Sequence, residues 1–566
     1  MLTFRLIEKC YQDASFYKDK DVDFLLEEND WNDYQYYTTY HLHITTKKVP
    51  SDNGATYLGV IHIMRMGQKE DECNVLRKYL LLQNLKNNLV FTDLPQNFYS
   101  ISFSIDLFKG LSRYLNEEER KEFIQGLRLI LKETDDFYFK VKEEDVFNTS
   151  LLRNSTMKSY TLLKGRSLLL LEGVQYNLRE QNLTIQYTDC AEEVSLDFST
   201  IKGIDSSLIP NGIIAFIGKN GSGKSTSLYK LAALLYASPG DRDRYMKKDI
   251  GTLKPKDIGI SQLMIFSYSP FDNFKMPGEF VTSDLKNWVT SLDDHSGRFI
   301  YCGLRDVKAE AEEILVAVKN HDEEHKQEIR VKDVRPKSLS SLSAESQDAL
   351  RIIEDKEQLK HEYQALKKAA QTCQEEIYEI LNSLDLALVF GNWESEYTKL
   401  STGHKFFIHS MLHIIAYCEE NAILMFDEPE NHLQAPLLSF MLAEVRKILV
   451  RRRSVMLIAT HSPVILQETM SSNVRIVRRQ GNHVSFSKPM IETFGENFGT
   501  ISSEVFDLTT DRTHYFQTID SIYNVLKCAQ AATVEEAVKL IDCKMGGISS
   551  QTIHYIVSKY SSDHSL

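Results

Sequence analysis

Residues 212–225 read Gly212-Ile213-Ile214-Ala215-Phe216-Ile217-Gly218-Lys219-Asn220-Gly221-Ser222-Gly223-Lys224-Ser225, and this stretch decides the fold. After Gly212 comes a short apolar run rich in isoleucine, the pattern of a strand buried on both faces. The eight residues from Gly218 match G-x-x-x-x-G-K-S, and Ser225 to Ala237 then reads as a helix. A strand, a phosphate-binding loop and a helix are therefore expected in direct succession. Gly218, Gly221 and Gly223 let backbone N–H groups close around phosphate oxygens, and the helix start adds the positive end of its dipole. Lys219, Asn220, Ser222 and Thr226 complete the candidate loop. Lys224 is expected to reach the β and γ phosphates of ATP, and Ser225 to offer its hydroxyl to Mg2+.

Two further buried-strand signals lie downstream, Ala422 to Phe426 and Val455 to Ala459. The first runs into Asp427-Glu428-Pro429, which puts Asp427 at the carboxyl edge of the sheet, where ligands sit in such folds. Asp427 is the second candidate metal ligand. Glu428 can orient and deprotonate an attacking water, so the pair separates metal binding from general-base work. Before these acids comes Leu400-Ser401-Thr402-Gly403-His404-Lys405, a small-residue turn opening an apolar helix. After them, Thr460-His461-Ser462-Pro463 follows the second strand.

Taken in that order, these residues resemble the ABC ATPase superfamily: phosphate loop, signature (usually Leu-Ser-Gly-Gly-Gln or Leu-Ser-Ser-Gly-x), paired acids, switch histidine. The resemblance implies an α/β fold, an ABC-type head whose mixed sheet is flanked by helices. It implies that Ser401, Thr402 and Gly403 reach the γ-phosphate held by a second copy in a head-to-tail dimer. It also implies that His461 hydrogen-bonds the γ-phosphate or the water and so joins Glu428 as a catalytic residue. His404 stands where many members have glutamine. The glutamine loop is left unassigned, because Gln262 precedes the strand Leu263 to Tyr268 and Ser269-Pro270-Phe271-Asp272 follows it.

Around this head, residues 1–170 form a strand-rich N-terminal module, with strands over Tyr36 to Thr46 and Thr56 to Arg65 and helices over Cys73 to Leu85 and Asn116 to Glu133. Residues 171–304 form the lobe with the phosphate loop, and 391–480 the lobe with signature, acids and histidine. A tail of residues 481–566 closes the chain. Between the lobes, 305–390 are expected to form a short coiled-coil hairpin. Val307, Ala311, Ile314 and Val318 make one apolar seam, while Leu359, Leu366, Cys373 and Ile380 fall seven apart, as do Tyr363, Ala370, Ile377 and Leu384. An unbroken second arm would reach roughly 40 to 50 Å. The alternative is two amphipathic helices packed on a globular lobe.

An insertion in that interval resembles the SMC, Rad50, RecF and OLD-like branch. Asp427-Glu428-Pro429-Glu430-Asn431-His432-Leu433, the signature hexapeptide and Thr493-Phe494-Gly495-Glu496-Asn497-Phe498-Gly499-Thr500 look like the PtuA ATPases of Septu anti-phage systems, including retron-associated ones. That resemblance implies an HNH nuclease partner of the PtuB kind, and in a retron a reverse transcriptase with its RNA and DNA. The chain itself offers no nuclease motif. The rival expectation is a DNA-repair or DNA-clamping ATPase, with Arg446, Lys447 and Arg451 to Arg453 as its basic patch.

Composition narrows the field further. Hydrophobic residues make up 42% and charged residues 26% of the 566, close to a globular average. No apolar run approaches the roughly 20 residues that span a bilayer, and charges at Arg5, Glu8 and Lys9 break any secretory signal, so the cytoplasm is the expected location. Eight cysteines without a C-x-x-C pair indicate neither zinc nor disulfides. A net charge of −13 restricts any nucleic-acid contact to a local patch.

Overall fold

A computed structural model describes residues 1–8, 19–29, 35–50, 54–82, 89–152, 156–157, 159–170, 177–198, 212–237, 242, 246–256, 258–269, 299–320, 335–506 and 514–564. It is an α/β protein. The large sheet contains β9 (Ile213–Ile217), β11 (Leu263–Ser267), β12 (Phe299–Gly303), β13 (Ile423–Asp427), β14 (Val455–Thr460), β15 (Val474–Gln480) and β16 (His483–Ser487), in the order β12-β11-β13-β14-β9-β15-β16. All neighbours pair in parallel except β15 with β16, so the sheet is mixed. Strands β9, β11 and β12 are buried at every position, as their unbroken apolar sequences require.

A smaller antiparallel sheet, β7 (Asn182–Tyr187), β8 (Val194–Asp197) and β10 (Gly251–Lys254), shares a core with the large one. The helix Lys224–Tyr236 lies in that core through Leu228, Leu231, Ala232 and Leu235, packed with Ile185 and Tyr187 of the small sheet and Ile214 and Met425 of the large one. The N-terminal module is a six-stranded sheet, β1 (Phe4–Ile7), β2 (Phe24–Glu28), β3 (Thr39–Ile44), β4 (Thr56–Arg65), β5 (Val90–Phe91) and β6 (Phe98–Ile101), in the order β5-β1-β2-β3-β4-β6. Its core runs from Leu2 to Leu169 and takes in Phe4, Phe24, Phe108 and Phe123. Asn116 starts the helix Glu117–Gly126 with a capping box to Glu119.

Two expectations are corrected. The heptad run from Leu359 to Leu384 is not one arm, because the helix Glu357–Cys373 ends at Gln374 (φ −148°, ψ 69°) and Glu375–Phe390 begins a separate helix. The chain folds back there: the Tyr363 hydroxyl donates to Asp385 at 2.7 Å, and Lys367 pairs with the same carboxylate at 2.6 Å. The apolar repeat serves this antiparallel pair, with Tyr363, Leu366 and Ala370 buried on one helix and Ile377, Leu381 and Leu384 on the other. Of the other seam, Val307–Asn320 is helical with Val307 and Ala311 buried; the side chains of Ile314 and Val318, and residues 321–334, lie outside the described residues.

The tail also starts later than expected. Strand β16 still belongs to the large sheet, and the chain divides into one compact unit over Met1–Gly495 and a second over Glu496–Leu566. The second unit contains Phe498–Phe506, His514–Val525, Val534–Met545 and Ser550–Asp563, with a small core of Ile519, Tyr523, Cys528, Ala537, Ile541 and Ile556.

Spin labels at His361 and Leu386, both exposed, test the fold-back. A continuous helix would hold these positions roughly 37 Å apart, whereas the folded pair predicts a separation below about 25 Å in a pulsed dipolar measurement.

Candidate active site

Parallel pairing brings the carboxyl ends of β9, β14 and β13 to one level, with Ile217 opposite Thr460 and Ala459 opposite Asp427. The loop after β9 turns on two glycines with positive φ, Gly221 (77°) and Gly223 (97°), a conformation that side chains resist. Gly218 is required for a different reason: a Cβ there would lie 2.3 Å from the Val477 carbonyl. Lys224 is almost fully buried and donates to the carbonyls of Gly218 (2.9 Å) and Lys219 (3.2 Å), folding its ammonium into the loop. Lys219, Asn220 and Gly221 are exposed, and the Ser222 hydroxyl is buried without a hydrogen-bond partner.

The paired acids meet this loop. Ser225 Oγ donates to Asp427 Oδ1 at 2.7 Å, and Lys224 Nζ lies 3.6 Å from Glu428 Oε1. Two oxygen ligands at adjacent octahedral corners of magnesium, each at about 2.0–2.1 Å from it, sit roughly 3 Å apart. The Ser225–Asp427 pair fits that demand. Glu428 has a left-handed backbone (φ 47°, ψ 56°), strained for a residue with a Cβ, and its N–H donates to the Ala459 carbonyl at 2.9 Å. Asn431 holds its carboxylate from the other side, Nδ2 to Oε2 at 3.0 Å. His461 places Nδ1 at 3.7 Å from Glu428 Oε1 and 3.2 Å from Glu430 Oε1.

Glu430 is the residue that motif reading passed over. Its Oε1 accepts from the Thr460 hydroxyl and from the His461 N–H, each at 2.6 Å. The only sequence signal was a third acid two positions after Glu428.

The turn Ser401–Gly403 stands apart from the loop after β9. Among the described residues no hydrogen bond or ion pair joins Ser401, Thr402 or Gly403 to residues 218–226, and Ser401 and Thr402 are exposed. Ser401 caps the helix Thr402–Tyr417, its hydroxyl accepting from the His404 N–H at 3.2 Å. Gly403 touches the acidic turn, since a Cβ there would lie 2.8 Å from the His432 carbonyl. Phe406 stacks on His432 and also packs on Tyr268, just past the end of β11. The Tyr268 hydroxyl meets His409 Nδ1, and His409 Nε2 lies 3.2 Å from Glu345, which Lys337 pairs at 2.7 Å. Burial holds the His409 imidazole below its ordinary value against the pull of Glu345. Burial raises the Glu345 carboxyl, but His409 and Lys337 outweigh it and hold the group well below the usual carboxylate range. Glu345 is thus an anion between a lysine and a neutral histidine.

Gln262 sits before β11, at the opposite end of the sheet from Asp427, where its Oε1 accepts from the Glu419 N–H. Residues 270–272 lie outside the described residues. Four cations of the expected basic patch have acidic partners: Arg446 with Glu468, Lys447 with Glu444, and Arg451 and Arg452 with Glu362. Helix-surface charges settle on neighbouring acids when these lie within reach.

No family profile matches this chain. Protein ea59 of Escherichia phage lambda is similar to it, with 25% identity over 543 residues that cover 92% of this chain and 93% of the phage protein. Among solved structures, an inward-facing metal-chelate type ABC transporter aligns with 55% of this chain and 83% of that chain, at 15% identity and a TM-score of 0.23. Among the described residues no helix is long and apolar enough to cross a membrane.

Gly403→Ala should cost about 1–3 kcal/mol of stability, because the new methyl must displace the His432 carbonyl. Thr402→Ala, at an exposed neighbour, should stay within about 0.5 kcal/mol. Urea denaturation of the two variants beside the parent protein checks the difference.

Proposed function

We propose that this protein is an ABC-type ATPase, binding ATP with Mg2+ and hydrolysing it to ADP and phosphate at a site shared by two copies. The observation that carries this reading is the convergence of Lys224, Ser225, Asp427 and Glu428 across the ends of β9 and β13. Lys224 is placed to leave its carbonyls for the β and γ phosphates, as a compact ammonium does in phosphate loops. Ser225 and Asp427 would hold the magnesium, which supplies charge neutralisation to the phosphates. Glu428, aimed by Asn431, is the base for the attacking water, with His461 beside it.

The exposure of Ser401 and Thr402 supports a head-to-tail dimer, since these residues face outward where they could complete a neighbour's site. The narrower reading is a PtuA-like subunit of an anti-phage defence system of the SMC, Rad50, RecF and OLD-like branch, controlling a PtuB-like HNH nuclease, within a retron where a reverse transcriptase accompanies it. The residue patterns at 400–405, 427–433 and 493–500 support it. Co-purification of an HNH protein with the chain from its native operon tests that partner, and a chain that stays alone under those conditions counts against it.

Two substitutions separate binding from chemistry. Lys224→Ala should lose ATP binding, read by calorimetry, because the charge that offsets the phosphates is gone. Glu428→Gln should keep ATP and lose turnover, because the amide preserves shape without accepting a proton.

Sharing of the site is tested by mixing. Ser401→Arg and Lys224→Ala chains should each be inactive alone, yet together recover part of the hydrolysis through the one site built from an intact loop and an intact signature. Full activity from a monomer at every dilution would reject the shared site.

A further inference from the structure

We infer that Glu430 is a positioning residue that fixes His461 and sets which of its ring nitrogens faces the terminal phosphate; this rests on the ATPase reading above. Strands β13 and β14 are neighbours, so the turn Pro429–Asn431 leaving one lies against Thr460-His461 leaving the other. Across that gap the Glu430 side chain, 9% exposed, accepts two hydrogen bonds on one oxygen and lies beside the His461 ring. The Thr460 hydroxyl and the His461 N–H donate to Oε1 at 2.6 Å, and His461 Nδ1 stands 3.2 Å away. Thr460 Oγ1 in turn accepts from the Ser462 N–H at 2.9 Å. The carboxylate therefore holds the backbone on both sides of the histidine, while the buried Nδ1 of the ring faces it at 3.2 Å without forming a hydrogen bond.

The residue type needs its own explanation. Two donors at a strand end could be satisfied by a neutral amide, whereas burying a carboxylate is costly unless its charge has a use. Here Oε2 is buried without any hydrogen-bond partner, so the local donors do not account for the charge. The group that gains from it is the imidazole, whose Nδ1 edge is bracketed by Glu430 and Glu428. With the Nδ1 edge turned to the acids, Nε2 is the nitrogen left for the nucleotide or the water, because the two ring nitrogens lie on different edges. The ring is 41% exposed, and among the described residues no hydrogen bond or ion pair engages Nε2.

The test uses the full chain, ATP with Mg2+, and the variants Glu430→Ala, Glu430→Gln, His461→Ala and Glu430→Ala/His461→Ala. Glu430→Ala should bind ATP within about twofold of the parent and keep its KM, while kcat falls about ten- to a hundredfold, the scale of a misplaced catalytic group. Glu430→Gln, which keeps an acceptor oxygen for Thr460 and the His461 N–H, guards against simple misfolding and should still lose kcat. In the double variant the second substitution should add nothing, because both act through one ring. Full kcat in a folded Glu430→Gln protein, or additive losses in the double variant, would overturn the inference while leaving the ATPase reading standing. Absence of hydrolysis by the parent chain, or hydrolysis that survives Lys224→Ala, would overturn both.

Discussion

The hydrogen bond from Ser225 to Asp427 joins residues 202 positions apart, and it exists only because two strands that are not neighbours end at one level. Strand β14 lies between β9 and β13, so both pairings must be in register at once. A slip of one residue in either would move a carboxylate by about 3.3 Å and turn it to the other face of the sheet. Unbroken apolar sequences on β9, β13 and β14, with helices and the small antiparallel sheet covering the faces, hold that register by burial. The functional groups need no contribution of their own to it.

Around this anchor the backbone carries local strain. Glu428 occupies the left-handed region at a cost of about 1–2 kcal/mol for a residue with a Cβ. The bond from its N–H to Ala459 and the grip of Asn431 on its carboxylate offset that cost and turn the side chain away from β13 towards Lys224. A residue that stayed in the extended conformation would follow the strand's alternation and point off the site.

The strand, loop and helix over residues 213–236 and the acids ending β13 were legible as local structure because each depends on residues a few positions apart, where strand, turn and helix propensities coincide. Glu430 was not, since its partners lie 30 positions downstream and become neighbours only through the pairing of β13 with β14. The heptads from Leu359 to Leu384 were misread for a related reason. A seven-residue apolar repeat states which face is buried but not against what, and nothing in Cys373-Gln374-Glu375 breaks a helix by its chemistry. The fold-back is decided at longer range, by Tyr363 and Lys367 reaching Asp385 and by the sheet-side helices that offer the pair a surface. Likewise, β16 looked like tail because its partner β15 and its packing against the small sheet, Phe486 on Tyr187, are visible only in three dimensions.

The signature helix is held at both ends and in its middle. At its start Gly403 lies against His432 of the acidic turn; halfway along, His409 joins Tyr268 and Glu345. At its end Arg452 donates to the carbonyls of Ile414, Ile415 and Cys418, the place where a cation best satisfies a helix terminus, and is itself neutralised by Glu362. Each of these contacts reaches a different element: the turn after β13, the end of β11, and the segment just before β14. Rotating the helix alone would break charge-assisted bonds in buried surroundings at two of the three points, a far larger cost than moving the exposed surface it carries. Ser401 therefore moves with Asp427 and Glu428 as one block. If the turn serves a second copy, as proposed above, its approach has to come from displacement of the whole unit rather than from a local swing of residues 401–403.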